Sequence, residues 1–221
     1  VCPTTLMFNW ENEIKKFTPA LTYLIHHGGD RSRDKKLFDD KDVVITTYGT
    51  LRSDIRMLVD VPFDYVVLDE SQAIKNPQSK VTKAASLLQA KSRLCMSGTP
   101  LQNNTFDIYA QMNFLNPGML GSVEFFRNEF ATPIDKFGEQ VQKEHLKKLL
   151  YPFILRRTKE QVAKDLPDKT EIKAFCSLSR KQAALYEQAV KELSKQIADT
   201  SGIQRRGLVL AFLMRFKQIC N

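Results

Sequence analysis

Only four cysteines, three histidines and a single tryptophan occur among the 221 residues, and their placement narrows the range of functions. Cys2, Cys95, Cys176 and Cys220 are scattered and form no CxxC pair. That argues against a zinc site or a disulfide framework and for a reducing compartment. Three of the four lie in apolar company, where packing is the expected role. No apolar run approaches the roughly 18 residues of a membrane span, so no transmembrane helix is expected. The opening Val1-Cys2-Pro3-Thr4-Thr5 has neither the basic start nor the apolar core of a signal peptide. It also has no initiator methionine, so an excerpt from a longer protein is expected. There is no internal repeat and no low-complexity tract. No helix-turn-helix or finger pattern is present, which argues against a sequence-specific transcription factor.

The apolar fraction is 43%, enough for a globular core, and the length suits one domain with an insertion. The net charge of +8 is unevenly spread. Residues 151–221 carry 14 basic and 7 acidic side chains, whereas residues 101–150 carry 5 and 6. A basic final third fits a polyanionic partner, and it equally fits the solvated face of helices.

The most informative stretch is Asp64-Tyr65-Val66-Val67-Leu68-Asp69-Glu70-Ser71-Gln72. Its apolar run reads as a buried strand of a parallel sheet. Ligands of open α/β sheets sit beyond the carboxyl ends of strands, which is where Asp69 and Glu70 fall. Two adjacent carboxylates suit a hydrated Mg²⁺ and a water that needs a base. The plainer reading is a solvated loop leading into a helix.

Strand and helix patterns alternate around it. A helix with the stripe Leu6, Trp10, Ile14 and Phe17 follows a cap at Thr4 or Thr5. Strands are expected at 21–25, 42–48, 65–68 and 93–96, and helices near 31–38, 51–59 and 81–88. This alternation predicts a parallel, doubly wound sheet. It stops after Ser97-Gly98-Thr99-Pro100. Asn104 is expected to cap a helix carrying Ile108, Met112 and Leu115. Residues 119–150 read as helical, with a break at Thr132-Pro133. A strand is possible at 171–175. Thr158 with Gln161, and Ser179 with Gln182, are capping boxes. The second opens a long helix, and a last helix covers 208–219. Trp10 reads as a core anchor in preference to a base-stacking platform, because it lies in the apolar stripe.

Several blocks in fixed order resemble the first motor lobe of superfamily-two helicases, specifically the Swi/Snf family of ATP-dependent DNA translocases. Val1 to Thr5 with Asn9-Trp10 is similar to motif Ia, and Ile45-Thr46-Thr47-Tyr48 to a neighbouring DNA-facing block. Asp69-Glu70-Ser71-Gln72 resembles motif II. Ser97-Gly98-Thr99-Pro100-Leu101-Gln102-Asn103-Asn104 resembles motif III. Asn113 to Pro117 is similar to the entry to the family's helical protrusion. Phe153 to Lys159, followed by Leu166-Pro167-Asp168-Lys169, is similar to the return from it. Arg215 to Asn221 resembles the helix before the second lobe.

The resemblance implies an α/β fold: a RecA-like parallel sheet flanked by helices, with an inserted helical protrusion and a helical C-terminal segment. The corresponding divisions are a lobe core at 1–116, a protrusion at 117–152, a return segment at 153–178 and terminal helices at 179–221. It implies ATP and Mg²⁺ as cofactors. Asp69 would hold the metal through water and Glu70 would serve as the base. Gln72, Ser97, Gly98 and Thr99 would couple the nucleotide site to the lobe interface. Thr4, Thr5, Thr46 and Thr47 would donate to phosphates of double-stranded DNA without reading sequence, although their hydroxyls also suit caps and turns. Arg156 and Arg157 would line a basic interlobe cleft, and Lys75 suits a plain surface role. A nucleoprotein is an expected substrate of the parent, and an intracellular location is expected, cytoplasmic in a bacterium or nuclear in a eukaryote.

Three departures qualify the resemblance. The 221 residues contain no Gly-rich turn ending in Lys-Thr/Ser, and no second-lobe arginines. Position 72 is Gln where many relatives have His. The fragment alone is therefore expected to be inactive as an ATPase, and a non-catalytic DNA-binding or scaffold module is the alternative reading.

Overall fold

The computed structural model describes residues 1–98, 105–163, 170–198 and 200–221. Thr99 and Asn104, and the Leu166-Pro167-Asp168-Lys169 block, lie outside the described residues. The chain divides into two compact units, 1–156 and 157–221.

In the first unit, β1 (Tyr23–His26) pairs in parallel with β2 (Val43–Thr46), and β3 (Phe63–Leu68) with β4 (Ala90–Cys95). Val1 and Cys2 lie between the two pairs. The Val1 nitrogen donates to the Val67 carbonyl at 2.7 Å, and the Asp69 amide donates to the Val1 carbonyl at 2.8 Å. On the other side the Cys2 amide donates to the Thr46 carbonyl at 2.9 Å. The result is one parallel sheet in the order β1, β2, Val1-Cys2, β3, β4.

Helices cover both faces, as parallel sheets require. The helix α1 (Met7–Phe17) lies on one face, where Met7 and Trp10 meet Cys2, Ile45 and Ile25. The helices α2 (Tyr48–Leu58) and α3 (Lys80–Leu87) cover the other, packing Leu51, Leu58 and Ala85 on Val66 and Leu68. The alternation along β2 explains this: Val43 and Ile45 point to α1, and Val44 to α2. The cover of α1 stops short of β3 and β4, where Tyr65 and Leu94 are exposed. Residues 31–38 do not form the expected helix. A 3-10 turn at Lys35–Phe38, capped by Asp34, replaces it.

A buried ion cluster ties β1 to α2. Asp54 accepts from Arg31 Nε at 2.6 Å and from Arg31 Nη2 at 2.8 Å, and lies 2.9 Å from His26 Nε2. Arg31, and after it His26, hold the Asp54 carboxyl below the usual carboxylate range, against the opposing effect of burial.

The helix α4 (Phe106–Leu115) is apolar on nearly every side because it has two partners. Phe114 enters the sheet core, while Ile108, Tyr109 and Met112 join a second core with Leu120, Phe126, Phe130, Leu146 and Leu150. That second core belongs to the helical segment that follows: α5 (Val123–Phe126), a π-turn at Arg127–Ala131, α6 (Thr132–Phe137) and α7 (Gln140–Leu150). The expected break at Thr132-Pro133 is absent. The π-turn ends two residues before Pro133 and accommodates a residue that cannot donate a backbone bond. The break falls instead at Gly138, whose φ of 68° closes the helix, with Gly138 N donating to Ile134 O and Glu139 N to Pro133 O. Asp135 reaches back to accept from the Thr105 amide and hydroxyl ahead of α4.

In the second unit, α8 (Lys159–Val162) precedes a hairpin of α9 (Arg180–Ala198) and α10 (Gly202–Cys220). The capping box at the start of α9 forms, with Ser179 N donating to Gln182 Oε1 and Gln182 N to Ser179 Oγ. Tyr186 stacks on Phe216, and Gln182 Nε2 donates to the Ile219 carbonyl. Residues 171–175 form no strand: no described strand lies alongside them, and Ile172 and Phe175 are exposed. Cys176 and Cys220 are exposed too, so packing holds only for Cys2 and for the partly buried Cys95.

Two measurements test this architecture. Asp54 has a depressed folded-state pKa, so its stabilisation is complete above its unfolded value of about 3.9 and is lost as the pH falls below it. We expect Asp54→Asn to lower stability by about 3 kcal/mol near neutrality. The gap to the wild type should close in urea titrations below about pH 4. Replacing residues 117–150 by a short linker should leave the sheet folded but self-associating, because Ile108, Tyr109 and Met112 then face water. Polar residues at those three positions should restore a monomer in sedimentation. Loss of cooperative unfolding in both deletions would mean that the helical segment is part of the sheet's core.

Candidate active site

The strand β3 ends at Leu68, and the next backbone turn is unusual. Glu70 has φ 50° and ψ 51°, and it is the one non-glycine residue with positive φ among the described residues. A left-handed conformation disfavours a residue with a Cβ, so the surroundings must hold it. They do so on both sides. The Glu70 amide donates to Asp69 Oδ1 at 2.9 Å, and the Ser71 amide to the Met96 carbonyl at 2.9 Å. The turn lifts the Glu70 carboxylate out of the strand line and starts the 3-10 turn Ser71–Ile74.

Beyond its amide bond to Val1, Asp69 is fixed at three further points. Its Oδ1 takes the Glu70 amide, its Oδ2 takes Trp10 Nε1 at 2.8 Å, and its carbonyl takes the Tyr48 hydroxyl at 2.6 Å. Burial pushes the Tyr48 phenol pKa up, so it stays protonated and donating. Burial also pushes the neighbouring Cys95 thiol up to about 12, which makes it an inert packing group.

A second chain of bonds runs from Glu70 to the end of β4. Gln72 Nε2 donates to Glu70 Oε2 at 2.6 Å, and Ser97 Oγ donates to Gln72 Oε1 at 2.9 Å. An amide has a donor and an acceptor at opposite corners, so Gln72 bridges the two without titrating. The structure thus brings together Asp69, Glu70, Gln72 and Ser97. Gly98 is exposed at the same edge.

The chemistry of the donor set suits a hydrated Mg²⁺. No group of three or more His, Cys, Asp or Glu side chains capable of holding a metal occurs among the described residues. What is present is a pair of carboxylates, each half-buried, and a carboxylate has about four acceptor sites. Asp69 therefore keeps acceptor capacity on both oxygens for metal-bound water. Magnesium takes few protein carboxylates and retains its waters.

The expected DNA-facing threonines separate into two sets. Thr4 and Thr5 are exposed, in a 3-10 turn ahead of α1, and their side chains do not cap that helix. Thr46 and Thr47 are buried. Thr46 Oγ1 donates to the His26 carbonyl at 2.8 Å, and Thr47 Oγ1 accepts from the Thr50 amide at 3.2 Å as the cap of α2. A buried hydroxyl needs an internal partner, and each of these two has one within the lobe. Arg156 and Arg157 are exposed, one on each side of the division between the units, and Lys75 is exposed.

Two contacts escaped the sequence reading: Trp10 and Tyr48 against Asp69. The signal for the first was available. A tryptophan in an apolar stripe still carries an N–H that seeks a partner.

A parallel sheet with two carboxylates beyond the end of β3, and helices on both faces, is the α/β architecture expected of a RecA-like lobe. The model of the family described as SNF2-related domain matches residues 1–221, and the chain belongs to that family. It is 37% identical over 226 residues to YwqA of Bacillus subtilis, whose given name is that of an ATP-dependent helicase/translocase. It is 32% identical over 243 residues to the chromatin-remodeling ATPase INO80 of Gibberella zeae. In both cases all of this chain is covered, but only 24% and 13% of the relative. The solved structure of the Sulfolobus solfataricus SWI2/SNF2 ATPase core in complex with dsDNA matches 99% of this chain and 46% of its own, with a TM-score of 0.69 and 45% identity.

The strain at Glu70 is measurable. Glu70→Gly and Glu70→Ala both remove the carboxylate, but only glycine relieves the positive φ. We expect the glycine variant to be more stable than the alanine variant by about 1 kcal/mol in urea unfolding. Equal stabilities would mean that the left-handed turn carries no strain.

Proposed function

We propose that this chain is part of the motor of a double-stranded-DNA translocase or nucleoprotein remodeller that hydrolyses ATP with Mg²⁺ in the full-length protein. The observation that carries the reading is the pairing of Asp69 and Glu70 at the carboxyl edge of the sheet, with Glu70 linked through Gln72 to Ser97. When bound, Mg²⁺ supplies the charge that neutralises the phosphates and orients them. Asp69 holds that ion's water shell. Glu70 accepts a proton from the attacking water: its Oε2 is clamped by Gln72, which leaves Oε1 for the water. Ser97 holds Gln72 from the adjacent strand end, so a shift at β4 is felt at the base. Gly98 and Thr99 continue that segment as the coupling element, and Arg156 and Arg157 supply basic groups to the cleft. No helix among the described residues is long and apolar enough to cross a membrane. A DNA substrate would place the protein inside the cell, in the cytoplasm of a bacterium or the nucleus of a eukaryote.

DNA is held through its phosphates by the exposed Thr4 and Thr5 and by basic side chains. Such contacts position the protein and carry no base information. Binding by the full-length protein should therefore be indifferent to sequence and steeply salt-dependent, as bound counterions are released.

Two tests follow. In the full-length protein, Glu70→Gln should abolish hydrolysis while nucleotide binding persists, because the amide keeps the shape but takes no proton. Normal turnover by this variant would remove Glu70 as the base, and the absence of turnover in the wild type would favour the scaffold reading. Thr4→Ala with Thr5→Ala should weaken duplex binding several-fold at unchanged stability. Thr47→Ala should instead cost about 1 kcal/mol of stability as a lost helix cap. A strong preference for one duplex sequence, or affinity flat in salt, would sink the backbone-tracking mechanism.

A further inference from the structure

We propose that Trp10 is a positioning residue for the metal-holding carboxylate: its indole N–H fixes the plane of Asp69 without taking the charge that the cation needs. The inference rests on the Mg·ATP reading of Asp69 above.

The geometry is specific. The carboxyl torsion of aspartate is broad and roughly two-fold, so one hydrogen bond leaves the group free to swing. Here each oxygen has its own donor: the Glu70 amide on Oδ1, and Trp10 Nε1 on Oδ2 at 2.8 Å. Two donors on different oxygens lock the plane and leave acceptor capacity on each for water.

The choice of donor matters as well. A lysine or arginine at this place would neutralise Asp69 and compete with a divalent cation. A histidine could gain a proton and do the same. Indole is a donor only and stays uncharged. Its ring is anchored by packing with Met7, Cys2 and Ile45 on the α1 face of the sheet, so the N–H direction is set by the fold. A phenylalanine would serve for that packing alone. What the indole adds is a fixed donor, 59 residues away in sequence, on the carboxylate that matters.

Partners that orient metal-binding groups typically contribute 10- to 100-fold in metal affinity. The test uses the full-length protein with ADP and Mn²⁺, reading free Mn²⁺ by its electron paramagnetic resonance signal. Trp10→Phe should weaken Mn²⁺ binding about tenfold, leave ADP affinity without metal unchanged, and raise the Mg²⁺ concentration needed for half-maximal hydrolysis in parallel. Replacing Trp10 with its benzothienyl analogue, in which sulfur stands in for N–H, keeps ring size and should give the same loss. It also keeps the test intact if the phenylalanine variant does not fold. Wild-type Mn²⁺ affinity in the benzothienyl protein would overturn the inference, since packing would then be the whole role of the ring. Asp69→Ala provides the reference. If it binds Mn²⁺ as the wild type does, the Mg·ATP reading of Asp69 fails, and this inference fails with it.

Discussion

The two backbone groups of Val1 and the amide of Cys2 join what would otherwise be two separate pairs of strands. Each pair alone is a two-stranded parallel ribbon, a form that is marginal in water. With Val1 between Val67 and Asp69, and Cys2 against Thr46, the ladder becomes continuous and its interior polar groups are paired. The same bonds set the geometry of the site. They bring the start of α1 alongside the end of β3, and so place the ring of Trp10 within reach of Asp69 and put Thr4 and Thr5 at the same sheet edge.

Around Asp69 and Glu70 the fold trades local comfort for placement. A left-handed glutamate is held by the Asp69 side chain on one side and by a main-chain bond to Met96 on the other. Strained backbone at a strand end is a recurring feature of sites where a side chain must be aimed. The polar chain through Gln72 then links Glu70 to the neighbouring strand through uncharged groups, so its geometry does not depend on the protonation of a bridging residue.

The helix α4 explains how a helical segment can follow the sheet without disturbing it. One face carries Phe114 into the sheet core, and another carries Ile108, Tyr109 and Met112 into that segment's core. The boundary between sheet and helical segment therefore runs through a helix and not between two elements. That also accounts for a segment whose sequence shows no clear polar face.

Local patterning by itself determined a good deal. The β-branched run before Asp69, the capping box at Ser179, and the end of strand–helix alternation near residue 100 are all short-range features, and each appears where the sequence places it. The paired carboxylates were legible for the same reason: a strand's carboxyl end is defined by its own residues. Pro133 misled because a single proline reads as a break until the π-turn before it is known, and residues 171–175 misled because a strand needs a neighbour that its own sequence does not contain. The fate of hydroxyls was likewise undecided. Thr4 and Thr46 look alike in sequence, and only burial shows that Thr46 already has the His26 carbonyl as its partner. The bond from Trp10 to Asp69, and the chain from Glu70 through Gln72 to Ser97, belong wholly to the tertiary structure, because hydrogen bonds between residues far apart in sequence exist only once the sheet has set their distance.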